Sequence, residues 1–310
     1  MWVTSTPETA LTPTAIALGN FDGVHRGHQQ VLQPILAAKS SQTVYTTVVS
    51  FNPHPREYFT RQPKALLTPL AEKAEQLEKQ NIEQLVLLPF DRELAALSPQ
   101  AFVEKILVQQ LNARLVSVGA DFCFGRDRAG TAQDLQRIAA TAGIEVAIAS
   151  LQTNGGDRIS SSAIRQALLE CNIETANGLL GRPYTLTGIV KAGQKLGRTI
   201  GFPTANLDLP ERKFLPGNGV YSVWVSIEGE ARSNHLGVMN LGRRPTVENR
   251  DRPLPEIHLL DWSGDLYERT LTVKLERFLR PEQKFNSLSD LKAQIAQDCQ
   301  AAKQILNYEM

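Results

Sequence analysis

The 310-residue chain has little cysteine, few aromatic residues and no excess of either charge. Its three cysteines, Cys123, Cys171 and Cys299, lie far apart and form no CxxC or Cys/His spacing, which excludes a disulfide framework and a zinc module. With 33 basic against 32 acidic residues, the chain lacks the basic surplus of a nucleic-acid-coating or membrane-surface protein. A local basic patch around a nucleotide phosphate is still compatible with that balance. No apolar run approaches the roughly 18 residues of a membrane span. The first residues, MWVTSTPETALTPTAIAL, lack the charged and apolar regions of a signal peptide. No internal repeat or low-complexity tract is present. These absences lead us to expect a soluble, cytoplasmic protein with reduced cysteines, binding neither nucleic acid nor membrane, its oligomeric state left open.

What is there reads as two domains, since single cores stop growing near about 250–300 residues. Residues 14–181 alternate short apolar runs (Thr14–Phe21, Val44–Phe51, Leu85–Phe90, Leu115–Val118, Glu145–Ala149) with helical patterns (His28–Lys39, Leu70–Lys79, Pro99–Leu111, Gln133–Ala142). This βαβα alternation predicts an α/β domain with a parallel sheet, its ligand beyond the carboxyl ends of the strands. From about residue 184 the pattern changes. Tyr184–Val190, Gly219–Ile227, Asn234–Leu241, Glu256–Trp262 and Thr270–Phe278 read as strands joined by Gly/Pro-rich turns, hence an antiparallel sheet or small barrel. Leu288, Leu291, Ile295, Cys299, Ala302 and Leu306 recur at helical spacing and predict a long C-terminal helix. A helix from Asn172 ends at Gly181, with Pro183 as the stop. The boundary is placed there, giving domains 1–183 and 184–310.

The first motif runs from Gly19 to His28, GNFDGVHRGH. A strand ends, a glycine-bearing turn follows, and a helix begins near Gly27, so backbone N–H groups and the helix N-terminus can face an anion. His25 and His28 are three apart and can both point into the turn, where imidazoles can donate to phosphate oxygens. A metal pair needs a further ligand that the spacing does not supply, and two satisfied structural histidines are the other alternative. Asn20 and Asp22 in the same loop fit turn formation as well as ligand contact.

This motif resembles the His-x-Gly-His nucleotidyltransferases, and in its extended form the bacterial bifunctional riboflavin kinase/FMN adenylyltransferases. Supporting segments follow in family order: Phe51–Glu57, which contains His54; Leu67–Pro69; Val118–Gly125; and Ile159–Arg165. The resemblance implies a Rossmann-like domain in which His25 and His28 bind ATP phosphates and stabilise the transferring α-phosphoryl group. It places Gly19, Asn20, Phe21, Asp22 and His54 around the nucleotide and makes Ser161, Ser162 and Arg165 a second phosphate clamp. Serines at a helix start expose donors, and arginine presents a planar fork to phosphate. Asp121 and Phe122 resemble positions on the flavin side, with a solvated loop and a core phenylalanine as the alternative. Ser162 stands where threonine is usual.

The second motif, Gly188 to Leu207, is glycine-rich and carries Lys195 and Arg198. It is not a Walker loop, because Arg198 replaces the lysine and no helix pattern follows. Gly193, Lys195, Gly197 and Arg198 read as a cationic phosphate cover. Thr204 and Asn206 alternate by two, so on a strand they share a face and offer hard oxygens to Mg²⁺. An ordinary turn after Pro203 is the alternative. Gly197–Asn206 resembles the riboflavin kinase signature, with Gly219–Tyr221, Asn240–Gly242 and Glu256–Asp261 following in family order. The resemblance implies Glu256 as catalytic base and a pocket at the barrel mouth. A structural Glu256 with Glu248 as base is the fallback. Glu268 stands where glycine is more usual. Across both domains the resemblance implies riboflavin, FMN and FAD as substrates or products, ATP as co-substrate and Mg²⁺ as cofactor. The alternatives are an adenylyltransferase for another acceptor, and a barrel that binds flavin or RNA without turnover.

Overall fold

The computed structural model of the chain describes residues 1–150, 153–154, 157–192, 197, 200–230, 234–242 and 253–307. The chain folds into two compact units, Met1–Ser161 and Ser162–Met310.

The first unit is built on strands β1 (Trp2–Thr4), β2 (Thr14–Leu18), β3 (Tyr45–Asn52), β4 (Gln84–Pro89) and β5 (Ala113–Gly119). A short antiparallel ribbon of β6 (Cys123–Phe124) and β7 (Gly130–Thr131) follows, and β8 (Glu145–Ala149) returns to the sheet. The sheet order is β1-β4-β3-β2-β5-β8, parallel throughout. Its helices are α1 (Arg26–Ser41), α2 (Pro55–Thr60), α3 (Leu70–Glu78), α4 (Arg92–Ala96), α5 (Pro99–Phe102, continuing as π-helix over Val103–Gln110) and α6 (Ala132–Ala140). A small pair, β9 (Thr153–Asn154) and β10 (Asp157–Arg158), closes the unit.

Side-chain alternation explains why helices cover both faces. Ile16, Leu18, Val116 and Val118 pack with Phe102, Leu107, Leu135 and Ile138 on one side. Ala15, Ala17, Val48 and Leu85 pack with Val31, Leu32, Ile35 and Leu77 on the other. The small residues at 15 and 17 let α1 lie close against β2. The chain leaves β2 toward β3 on one side and returns to its other side as β5. That reversal opens a crevice at the carboxyl ends of β2 and β5, where α/β sheets bind ligands. Strand β1 adds an edge that the sequence pattern does not predict, since three residues carry no readable period.

The second unit opens with α7 (Ser161–Leu169) and α8 (Ile173–Leu180). Asn172 caps α8 and Gly181 ends it at φ +76°, as the sequence predicts. Strands β11 (Tyr184–Lys191), β12 (Ala205–Asp208), β13 (Gly219–Ile227), β14 (His235–Gly242), β15 (Leu254–Leu259) and β16 (Thr270–Arg280) form a closed antiparallel barrel in the order β11-β12-β15-β14-β13-β16. Leu186, Val190, Leu207, Val223, Val225, Met239, Leu241, Ile257, Leu271 and Val273 fill it. Gly188 is required where β11 crosses β12, because a Cβ there would collide with the Asp208 carbonyl. The helix α9 (Leu288–Asn307) packs Ala302 and Leu306 against Val220, Val238 and Leu260 on the barrel's outside.

Helices α7 and α8, read from sequence as the end of the first domain, are tied to the barrel. Gly217 N–H donates to the Leu168 carbonyl at 2.9 Å, and Asn177 bridges the Leu275 carbonyl and the Tyr184 N–H, each at 2.8 Å. Arg277 adds an ion pair to Glu174 at 2.6 Å.

Candidate functional site

The loop after β2 places the histidine pair just beyond the carboxyl end of that strand, where the sheet order reverses. His25 is the N-cap of α1, and its Nδ1 accepts the His28 backbone N–H at 3.2 Å. A capping nitrogen carries no proton, so the proton of the neutral ring sits on Nε2, which becomes the donor. The two imidazoles stack with centroids 3.6 Å apart and planes 15° apart. Phe21 lies against His28 at 4.9 Å. The turn needs three unusual conformations in close succession, Phe21 at φ +49°, Gly23 at +92° and Val24 at +43°. Gly27 is small because a Cβ would come within 3.2 Å of the His25 ring.

Tertiary bonds hold this loop. The Gly23 N–H donates to the Thr68 hydroxyl at 2.8 Å, and the Thr68 N–H donates to Asp22 Oδ1 at 3.2 Å. Ser161, at the start of α7, donates to the Asp22 carbonyl at 2.8 Å. Asp22 is thus buried and built into the turn. Ser50 and Lys73 both donate to the Asn20 carbonyl, at 3.1 and 2.8 Å. The Asn20 side-chain oxygen is buried and has no hydrogen-bond partner. Gly19 N–H donates to the Val49 carbonyl at 3.1 Å, and its α-carbon faces the Phe21 ring.

His54 caps α2 through a reciprocal box with Glu57, accepting the Arg56 N–H at 3.0 Å. Lys64 Nζ lies 3.3 Å from its other ring nitrogen. Burial, then the Lys64 charge, hold the His54 pKa down at about 4. Burial likewise pulls Lys73 down to about 8, with Lys64 adding to the fall and Asp22 opposing it. Lys64 and Lys73 are not singled out by sequence, since a lysine in an amphipathic helix or polar loop looks solvent-facing.

Asp121 pairs with Arg158, both about half exposed. Phe122 stacks on Phe124 at 5.8 Å and packs against the sheet core. Ser162 is exposed in the first turn of α7. Arg165, in the same helix, carries its guanidinium 5.6 Å from the Phe214 ring centroid.

In the second unit, cross-strand register brings candidate residues into one row. Asn206 on β12 pairs with Glu256 on β15, and Glu256 pairs with Asn240 on β14. Directly opposed residues share a face, their α-carbons about 4.5–5.5 Å apart. Thr204, two residues before Asn206, belongs to that face if the strand is extended backward, and it is exposed. Its hydroxyl lies 3.3 Å from where a Cβ on Gly197 would stand. Asn240 has the parity of Leu236 and Val238, which contact α9 on the outside. The row therefore lies on the outward-facing side of these strands. Gly193, Lys195, Arg198 and Glu248 lie outside the described residues. Glu268 sits at φ +59°, a conformation glycine adopts without cost, and pairs with Lys191 at 3.1 Å.

Two family models match the chain, FAD synthetase over residues 8–163 and riboflavin kinase over residues 180–306. The bifunctional riboflavin kinase/FMN adenylyltransferase of Escherichia coli K12 is 43% identical over 284 residues, covering 91% of this chain and 90% of that protein. The chain belongs to the bifunctional riboflavin kinase/FMN adenylyltransferase family. The protein of that name from Bacillus subtilis is 37% identical, with 93% and 91% coverage. A solved structure from Streptococcus pneumoniae, described as a macrolide-efflux protein, has 30% identity and a TM-score of 0.86, covering 97% of this chain and 98% of that one. Among the described residues no helix is long and apolar enough to cross a membrane.

As a member of this bifunctional family the protein is an enzyme with kinase and nucleotidyltransferase activities. Its Rossmann-like nucleotidyltransferase sheet precedes the kinase barrel. The second family match covers the barrel, so a barrel without turnover is set aside.

Proposed function

We propose that the two activities use the two sites separately, with adenylyl transfer assigned to residues 1–183 and riboflavin phosphorylation to 184–310. The stacked His25–His28 pair at the tip of α1, beside the crevice, carries this reading. In the first reaction an FMN phosphate oxygen attacks the α-phosphorus of ATP, the bond to the β-phosphate bridging oxygen breaks, and pyrophosphate leaves. No side-chain nucleophile is needed. The work of the protein is orientation and stabilisation of charge on the transferring group. His25 and His28 supply donors there, with Gly19, Asn20, Phe21, Asp22 and His54 framing the pocket. Ser161, Ser162 and Arg165 complete the phosphate contacts, and Asp121 and Phe122 border the flavin.

In the second reaction the ribityl hydroxyl of riboflavin attacks the γ-phosphorus of ATP. Glu256 accepts the hydroxyl proton, and ADP leaves. Gly193, Lys195, Gly197 and Arg198 cover the ATP phosphates. Thr204 and Asn206 offer a hydroxyl and an amide oxygen, a donor set that fits Mg²⁺. Among the described residues no cluster of three or more His, Cys, Asp or Glu groups could hold a metal alone. An ion held by Thr204 and Asn206 would offset phosphate charge. Only small molecules are proposed as partners, with no nucleic acid, and the cytoplasm as location.

The test is the His28→Ala protein given FMN, ATP and Mg²⁺, with flavins separated by chromatography. FAD formation falls by about 10²-fold or more if His28 stabilises the transferring group. Wild-type FAD formation by this variant refutes the assignment.

A further inference from the structure

Lys73 is four residues into α3, yet its ammonium is turned inward and ends on the loop that carries the histidine pair. It donates to the Asn20 carbonyl at 2.8 Å and to the Ser50 hydroxyl at 3.4 Å, and Ser50 donates to the same carbonyl at 3.1 Å. Two donors on one carbonyl fix the plane of the Asn20–Phe21 peptide. The next residue, Phe21, stands at φ +49°, a backbone region that disfavours side chains other than glycine. In that conformation its ring is 1% exposed and meets the His28 imidazole at 4.9 Å. His28 in turn stacks on His25. A continuous set of contacts therefore runs from Lys73 to both histidines.

A structural clamp could be made from a neutral amide at lower cost, because burying an ammonium is unfavourable. The titratable and charged groups facing Lys73 are Asp22 from the loop, Lys64 from the segment before α3 and His54 at the start of α2. Burial is the largest influence and lowers the ammonium to about 8, with Asp22 opposing the fall and Lys64 adding to it.

We propose that Lys73 is a positioning residue for adenylyl transfer, clamping the Asn20 carbonyl so that Phe21 seats His28 in its working orientation. The inference rests on the assignment of His25 and His28 to that reaction. Nothing in the contact set requires Lys73 to touch substrate.

The experiment uses full-length Lys73→Met and Lys73→Arg proteins with ATP, FMN and Mg²⁺, and riboflavin phosphorylation as an internal reference. Near pH 7, Lys73→Met lowers the turnover of FAD formation by about 10- to 100-fold relative to the kinase rate, because small misplacement of a catalytic group is costly. In the wild type FAD formation declines relative to the kinase as pH rises through about 8, when the ammonium deprotonates and its bond to the carbonyl weakens. Arginine keeps its charge, so in Lys73→Arg this decline moves above about pH 9. If Lys73→Met does not fold, the Lys73→Arg profile decides. Wild-type turnover in folded Lys73→Met, or a Lys73→Arg profile superimposed on wild type, overturns the inference. Unchanged FAD formation in His28→Ala overturns instead the assignment beneath it.

Discussion

His25 caps the helix on which His28 stands: its Nδ1 accepts the His28 backbone N–H at 3.2 Å, and the two rings stack at 3.6 Å. One ring nitrogen thus serves the fold, and the other is left for the role proposed in adenylyl transfer. The two roles are separable by substitution. Asparagine is a good N-cap but lacks the imidazole donor. His25→Asn is expected to keep stability within about 0.5 kcal/mol, whereas His25→Ala loses about 1 kcal/mol. Both are expected to lose adenylyl transfer by about 10²-fold. Denaturant unfolding and FAD formation, measured on the same proteins, check this.

Glu256 and Asn206 face each other across β12 and β15, and both are assigned to the kinase reaction. Glu256→Gln and Asn206→Ala are expected to lower FMN formation by about 10²- to 10⁴-fold while FAD formation from added FMN stays unchanged. Separate assays with riboflavin and with FMN distinguish this from general damage.

His54 gives a pH signature. Its folded pKa, held by burial to about 4, lies below the ordinary value of 6.5. The folded state therefore binds fewer protons than the unfolded state between these values. His54 contributes fully above about pH 6.5, and the contribution is lost as pH falls through about 4. His54→Asn, which keeps the cap, is expected to flatten the fall in melting temperature over that window. An unchanged slope, or an NMR titration of His54 with an ordinary midpoint, contradicts the placement.

The helix α9 is latched to the barrel by Arg280 and Asp298. Arg280 Nε and Nη2 both reach the Asp298 carboxylate, at 2.9 and 2.8 Å, and Gln294 adds a third donor at 3.0 Å. Asp298 is 5% exposed. Removing one partner of a buried pair costs about 3–5 kcal/mol, so Asp298→Ala is expected to destabilise the second unit by that order. Lys303 and Asp261 pair at 2.6 Å with both side chains exposed, and Lys303→Ala is expected to cost under about 1 kcal/mol. Chemical denaturation of both variants gives the comparison.

Much of this architecture is legible in the sequence because its signals are periodic. The unbroken apolar run Ala15, Ile16, Ala17 and Leu18 marks a strand buried on both faces, and Leu288 to Leu306 marks a helix. The motif from Gly19 to His28 is legible because glycines and histidines are concentrated there. Elsewhere the signal is weaker. The strand predicted from Glu256 to Trp262 starts two residues earlier and ends at Leu259, because Asp261 turns the chain at φ +51°. Helices α7 and α8 show apolar faces, but a face does not say which core it joins. Lys73 looks like any helical lysine until the Asn20 carbonyl is found beside it. The alignment of Asn206, Glu256 and Asn240 depends on barrel register, which no local pattern reports. Glu268 departs from the more usual glycine, and its left-handed backbone shows why glycine suits that position.

The most direct measurement of two separate sites is a mixing experiment with riboflavin, ATP and Mg²⁺. His28→Ala alone is expected to stop at FMN, and Glu256→Gln alone to leave riboflavin unconverted. Mixed together, the two folded proteins are expected to make FAD, because FMN released by one is adenylylated by the other. FAD at the wild-type rate from either variant alone, or no gain on mixing, would contradict the account.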